Sequence, residues 1–414
     1  MAETDFIPMM KFYTSSCEIL SAVNDRPEKF VAHGVLIGWG MRTPPSTLKR
    51  KGSGKSHDRL SVGFVPTLDC ATLIAAKELG LFAKYELDVR LSREVGWATI
   101  REKLLHQELD AVATHASMLF SIQCGLGVVQ RACLTGLIVA SQGSALTLSN
   151  ELKELGATDA ATTGRIVREL KTKRVFSFGV VLGLSTQHAF LRHWLRSGGL
   201  NPDEDVRVIV IPSALIYENF RKGFLDGYCV AEPWNSAAVH DNTGWVATTG
   251  AEAGSNQAAK VLLVLKDFAD HREEAHLRLI AALIEASRFC DDPAHRKELV
   301  RLLTRPGYFD LHPDCLSNSL VGPFNTGRET KSHANLVTYD ALEIGAPTQA
   351  AGRVVYDMVR ALSAETDLSR LRPEAIRQTF RKDIYDCAVK ISGNGGQKSP
   401  TAALRPSALA AMSS

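Results

Sequence analysis

Two stretches of the chain repeat one order of elements, and that order leaves few folds open. In the first, "RLSVGFV" reads as a strand, "CATLIAAKELGLFAKY" as a helix, "LDVRLS" as a strand, "TIREKLLHQE" as a helix and "LDAVATH" as a strand. In the second, "RVFSFGVV", "TQHAFLRHWLRSG", "VRVIVI", "LIYENFRKG" and "LDGYCVA" follow the same alternation. Each unit opens its last strand with a Leu-Asp pair. Helices that cross between short apolar strands imply parallel pairing, and two such units in succession imply two similar lobes. The later chain is mainly helical, with Leu277, Ile280 and Ile284 on one face and Val354, Val355, Met358 and Val359 on another. The predicted fold class is therefore α/β and two-lobed, with a ligand cleft between the lobes. Residues 59–140 plus 240–390 form lobe I, and 141–239 form lobe II.

The ends read differently. Residues 1–58 form an N-terminal extension closing in the linker-like "RTPPSTLKRKGSGKSHD", and 391–414 read as a disordered, low-complexity tail. The "GSGKS" run resembles a phosphate loop only in part. Lys49 stands where that motif needs its first glycine, and a strand follows instead of a helix. The N-terminus has no basic-then-apolar secretory pattern, and Cys17 follows "YTSS" and not an apolar run, so neither export nor a lipid anchor is expected. No stretch approaches about 18 uninterrupted apolar residues. Eight cysteines form no CxxC pair and mostly sit in apolar runs, as in a reducing compartment. A cytoplasmic location is expected. The net charge of +3, with no basic stripe interleaved with aromatics, gives no support to direct nucleic-acid binding.

A search for catalytic chemistry returns little. His188 and His193 are five apart and share no helix face, and His312 and Cys315 read as isolated from other ligands. No GxSxG, HExxH or GxGxxG occurs with suitable flanks. Neither enzymatic activity, a metal nor a cofactor is expected. Binding residues are easier to place. "LDGYCVAEPWN" runs from a strand into an acid, a proline and a tryptophan, and α/β sheets bind ligands beyond their strand ends. Glu232–Asn235 are thus expected at the hinge and cleft floor. Four other segments fall at strand ends: Trp97 in "SREVGWATI", Gln142, Gly143 and Ser144 in "ASQGSALTLS", Ser185, Thr186 and Gln187 in "GLSTQHAF", and Lys260 in "NQAAKVLLV". Trp97 alone fits a core position, and Ser185–Gln187 fit a helix cap. Jointly they offer one cation, neutral donors, a helix N-terminus and an aromatic face, which is equipment for a small planar anion.

The segments "GFVPTLDCATLIAAKELGLFAKYELDVRLSREVGWATIREKL", "TLSNEL", "LRHWLRSGGLNPDEDVRVIVIP", "GYCVAEPWN" and "FRKDIY" resemble the nitrate-binding protein family of the type II periplasmic-binding fold, over about residues 60 to 390. Without an export pattern, the chain is most similar to the cytoplasmic NasS-type nitrate/nitrite sensors. That resemblance implies a partner, an ANTAR-type RNA-binding antitermination regulator (NasT-like), released when nitrate or nitrite binds. It places the anion pocket on Trp97, Gln142, Gln187, Ala231 and Lys260, with the Trp97 indole packing on the anion, Gln142 donating its amide and Lys260 balancing the charge. The family usually has His where Gln187 stands, with His188 one residue later, and Gly where Ala231 stands. Lys260 argues against the bicarbonate-binding branch, whose corresponding position is acidic. The alternative is a substrate-binding component of an ABC transporter. A pyrimidine-precursor synthase on the same fold ranks below both, because no cysteine cluster is present.

Overall fold

The computed structural model describes residues 58–252, 258–332 and 336–393. The "GSGKS" run and the tail beyond residue 393 lie outside the described residues. Residues 391–393, expected in that tail, instead end the helix Lys382–Gly393.

Strands run in chain order as β1 (Asp58–Phe64), β2 (Leu87–Arg93), β3 (Ala111–His115), β4 (Cys133–Gln142), β5 (Ser144–Ser149), β6 (Ser177–Val180), β7 (Arg207–Val210), β8 (Gly227–Ala231), β9 (Gly244–Thr249), β10 (Ala258–Leu265), β11 (Phe324–Asn325), β12 (Thr330–Lys331) and β13 (Val337–Thr338). They assemble as one sheet in the order β13-β4-β10-β3-β1-β2, a second in the order β7-β6-β8-β5-β9, and a small β11-β12 hairpin. Pairs within the two repeated units are parallel, as their crossover helices require: β1 with β2 and β3, and β6 with β7 and β8. Both sheets are nevertheless mixed. β10 inserts between β3 and β4, and β5 inserts between β8 and β9, each antiparallel to both neighbours. These two strands belong to the chain's passages from one sheet to the other, where no crossover helix sets the direction. β9 also lies beyond the boundary expected after residue 239, yet it pairs with β5 from Ala145 to Ser149. The second sheet therefore continues to Thr249.

The two units repeat in detail, with their first strands and their Leu-Asp pairs 116 residues apart (63 to 179, 110 to 226). The Ser61 N–H donates to Asp110 Oδ2 at 2.7 Å, and the Asp110 N–H returns a bond to the Ser61 carbonyl at 2.9 Å. In the second unit, the Ser177 N–H donates to Asp226 Oδ2 at 2.7 Å and the Asp226 N–H to the Ser177 carbonyl at 2.8 Å. Each Asp thus satisfies an N–H of the neighbouring strand, within β1 at Ser61 and at the first residue of β6 at Ser177. The Leu beside it packs over a strand glycine. A Cβ on Gly63 would meet Leu109 Cδ1 at 2.6 Å, and one on Gly179 would meet Leu225 Cδ1 at 3.0 Å. The Leu-Asp pair is therefore a structural clamp, used once per lobe.

Apolar faces close around the sheets largely as periodicity predicts. Leu277, Ile280 and Ile284 are buried on the helix Glu273–Asp291, and Phe190, Leu191, Trp194 and Leu195 on the helix Thr186–Ser197. On the helix Gln349–Leu362, Val355, Met358 and Val359 are buried while Val354 stays exposed at the rim of the face. We expect Asp110→Ala and Asp226→Ala each to lower unfolding stability by about 1–3 kcal/mol in urea melts. The double variant should lose the sum within about 0.5 kcal/mol, because the two clamps share no partner.

Candidate functional site

The chain passes between the sheets at Gln142 and Gly143, which take positive φ values of 62° and 82°. Left-handed backbone suits Gly143 and is uncommon for a glutamine. The Gly143 N–H donates to the Leu336 carbonyl at 2.6 Å, and the Gly143 carbonyl accepts from the Glu232 N–H at 2.8 Å. The Glu232 carbonyl in turn accepts from the Leu68 N–H at 2.7 Å. Trp234 Nε1–H donates to the Pro66 carbonyl at 2.9 Å, and Asn235 bridges the Val230 carbonyl and the Thr147 hydroxyl. The "AEPWN" run is thus the staple at the crossover. Its indole and amide are committed to protein partners, not held open for a ligand.

Close to that staple lies a buried polar cluster. Lys260 on β10 stands directly opposite His115 on β3 in the ladder, so their side chains share one face. The Lys260 ammonium lies 5.1 Å from the Trp97 ring centroid, and the Trp97 and His115 rings meet edge to face at 4.5 Å. Asp69, on the turn before the helix Ala71–Glu78, is in ion-pair contact with Lys260. Lys260 is the one cation that the sequence leads one to expect in the pocket. Its charge is in fact balanced by Asp69, whose relative exposure is 2%. The ion pair is not aligned as a hydrogen bond. Lys260 Nζ, both Asp69 oxygens, both His115 nitrogens, Trp97 Nε1, Thr72 Oγ1 and Ser117 Oγ are all buried without a hydrogen-bond partner. Burial, and secondarily the Lys260 charge, holds the His115 imidazole well below its ordinary pKa, so it is neutral and offers one donor and one acceptor.

The lobe II candidates form a second group. Gln187 is buried and donates from Nε2 to Ser144 Oγ at 2.9 Å, while its Oε1 accepts from Thr186 Oγ1 at 3.3 Å. Ser144 pairs with Ala231 across the β5–β8 ladder. Ser185 is the N-cap of the helix that Thr186 opens, accepting from the His188 N–H at 3.1 Å. His188 does not stand in for a cleft histidine, because its Nδ1 faces the Gly183 carbonyl at 2.5 Å. Trp97 and Lys260 therefore form one group, Thr186, Gln187 and Ala231 the other, and Gln142 and Gly143 the crossover beside both. At the same 116-residue separation, His115 corresponds to Ala231 and Asp69 to Ser185. The two lobes meet where Gly96 approaches Pro212, a Cβ on the glycine lying 3.1 Å from Pro212 Cβ. Asp69 and His115 were not expected as site residues, whereas Ser144 was. The doubled Leu-Asp signal could have found the first two, by aligning the units.

Other features are less suited to ligand chemistry. A cleft of about 710 Å³ lined by Lys77, Phe82, Asp88 and Arg272 opens beside the starts of β1 and β2, away from the strand ends where α/β sheets bind ligands. His312, read as isolated, instead stacks on His240 at 4.9 Å with Asp314 nearby, all three exposed. The described cysteines are unpaired. No described helix is long and apolar enough to cross a membrane.

The NMT1-like family matches residues 53–304, more than half of the sequence. The chain belongs to the NMT1-like family. This NMT1-like chain is 32% identical over 289 residues to the nitrate import ATP-binding protein NrtC of Synechocystis, covering 68% of the chain and 42% of that protein. It is 27% identical over 292 residues to the bicarbonate-binding protein CmpA of Synechococcus elongatus, covering 67% and 63%. The chain thus spans less than two thirds of the length of these relatives. Among solved structures it resembles the periplasmic nitrate-binding protein NrtA from Synechocystis, with a TM-score of 0.73 at 22% identity over 83% of the chain and 91% of that structure. The fold is that of the periplasmic binding proteins, as the resemblance implied.

Glu232 yields a pH prediction. Its carboxylate accepts from the Ser236 N–H at 3.1 Å and the Ser319 hydroxyl at 2.9 Å, and burial raises its pKa from 4.5 to about 7. The folded chain then holds a proton that the unfolded chain has lost between those two values. Stability contributed by Glu232 falls as pH rises from about 4.5 to about 7 and is flat above. His115 and His276, buried and neutral, act in the opposite direction on acidification. Subtracting the urea-melt profile of Glu232→Gln from that of the wild type should therefore leave a curve descending across that window.

Proposed function

We propose that this NMT1-like chain binds a small oxoanion of the nitrate or bicarbonate kind between its lobes, as the binding component of an ABC import system. The observation that carries this reading is the concentration of unpartnered buried polar atoms around Lys260. Buried polar groups in folded proteins nearly always have partners, and here a cation, an imidazole and an indole N–H that lie against one another lack them. Each is a plausible contact for a planar oxoanion lying against the Trp97 face. Gln142, Gly143, Thr186, Gln187 and Ala231 line the facing side, with one amide hydrogen of Gln187 left after its bond to Ser144. Lys260 favours nitrate over bicarbonate. The lobes, 59–140 with the chain after β9 and 141 to the end of β9, close about Gln142–Gly143 and Glu232. The name of NrtC, a nitrate import protein, supports an import role, and the names of CmpA and NrtA support anion binding.

One observation favours a second reading, a nitrate/nitrite sensor in the cytoplasm. The match to NrtC, a protein named for ATP binding, is 32% identical, against 27% for the binding protein CmpA. The sensor reading adds an RNA-binding antitermination regulator that nitrate releases. A complex with such a regulator that ignores saturating nitrate would count against it, and recovery of the chain from a periplasmic extract would decide for import.

The shared prediction is anion-dependent stabilisation. Nitrate at about 100 times its dissociation constant should add roughly 2.7 kcal/mol to stability and raise the melting temperature, while sulfate and chloride leave it unchanged. Lys260→Ala should abolish that rise but leaves Asp69 charged and unpaired, at a cost of about 3–5 kcal/mol. The Lys260→Met, Asp69→Asn double variant removes both charges and should stay folded yet fail to respond. A full nitrate response in that double variant would sink the pocket assignment.

A further inference from the structure

The pocket around Lys260 has no net charge before any anion arrives, and that constrains how an anion binds. Lys260 and Asp69 are respectively 1% and 2% exposed, and their ion pair leaves the side-chain hydrogen-bonding atoms of both unpartnered. His115 is neutral. An anion entering unaccompanied would leave a buried net charge of −1, and unbalanced buried charge is among the costliest states in a folded chain. A ligand oxygen that engages the Lys260 ammonium also competes with Asp69 for its counter-charge.

We propose that Asp69 is the proton acceptor of this site, so that an anion binds together with one proton taken from solvent. In the bound state Lys260 pairs with the anion, and the proton sits on a carboxyl oxygen of Asp69. That oxygen then becomes a donor toward the anion. Charge balances: one anion and one proton enter a neutral pocket and leave it neutral. The groups that face Asp69 favour this assignment. Lys260 on β10 is in direct ion-pair contact with it, and His115 on β3 stands opposite Lys260 in the ladder. The neighbouring Cys70 thiol is pushed up by burial first and by the Asp69 charge second, so it does not ionise. Tyr339 is buried and neutral, its hydroxyl donating to the Leu68 carbonyl at 2.7 Å and the Arg296 guanidinium lying 5.5 Å from its ring centroid. Glu232 reaches this turn only through its backbone carbonyl, its carboxylate being held by Ser236 and Ser319. Among these described groups, Asp69 is the one that loses a direct counter-charge when the anion binds.

This inference rests on the anion-binding reading above, and the experiment separates the two. Sodium nitrate is the probe, because nitrate does not titrate near neutrality and any proton taken up belongs to the protein. Calorimetric titrations of the full chain at about pH 6, 7 and 8, each in two buffers of different ionisation heat, report affinity and protons absorbed. The expected result is uptake of about one proton and an apparent dissociation constant that rises about tenfold per pH unit. Asp69→Asn should absorb no proton, lose the pH dependence and bind more tightly than the wild type at pH 8. Nitrate binding by the wild type without proton uptake overturns the inference and leaves the anion site standing. A pH slope retained in Asp69→Asn transfers the role to His115 and also overturns it. Absence of binding by nitrate, nitrite and bicarbonate at every pH overturns the underlying reading and the inference together. The wild-type proton count stands as a test even where Asp69→Asn does not fold.

Discussion

An ammonium and a carboxylate, both shut away from water, set the terms for this protein. Lys260 and Asp69 come from parts of the chain nearly two hundred residues apart, and neither charge is tolerable there alone. Removing either partner of such a buried pair costs about 3–5 kcal/mol, whereas replacing both by apolar groups is often neutral or stabilising. A pair whose hydrogen-bonding atoms are left unused is a poor way to stabilise a fold. It is a good way to hold a site ready, because the desolvation cost has been met during folding and a ligand has only to exchange partners. Trp97 and His115 complete the arrangement by covering the ammonium with an aromatic face and a neutral ring.

That pair also depends on the exchange of strands between the sheets. Lys260 reaches its place because β10 returns from the second lobe and enters the first sheet between β3 and β4. β5 makes the complementary move into the second sheet. Each lobe is thereby completed by a strand contributed on a passage from its neighbour, and the two passages run through the same small region. The backbone bonds among Leu68, Gly143 and Glu232, with the Trp234 indole on the Pro66 carbonyl, keep these passages in register. Glu232 adds a titratable element to a point where both lobes are joined.

The repeated units explain how one architecture supplies two unlike walls. Positions 116 residues apart occupy matching places in the two lobes, and the chemistry at those places has diverged. Asp110 and Asp226 keep one structural task in both. Asp69 and Ser185 do not: the first is a buried partner of Lys260, while the second caps a helix. His115 likewise corresponds to a position that Ala231 fills with a methyl group. The charged and aromatic groups have collected on the first lobe, and neutral donors on the second.

The sequence by itself determined the two β-α-β-α-β units, the apolar helix faces and the strand-end placement of Trp97, Gln142, Gln187 and Lys260. Those follow from hydrophobic period and from turn residues, which are local. It did not determine the direction of β5 and β10, which have no crossover helix to orient them and are placed by the partners they find. Nor did it disclose the pairing of Lys260 with Asp69, since "TLDCAT" and "QAAKVLL" carry no mark of each other. Periodicity assigns a residue to a face, but which charge it meets depends on how distant strands are ordered. Only the folded sheet brings the two together, and that meeting turns an expected cationic pocket into a neutral one.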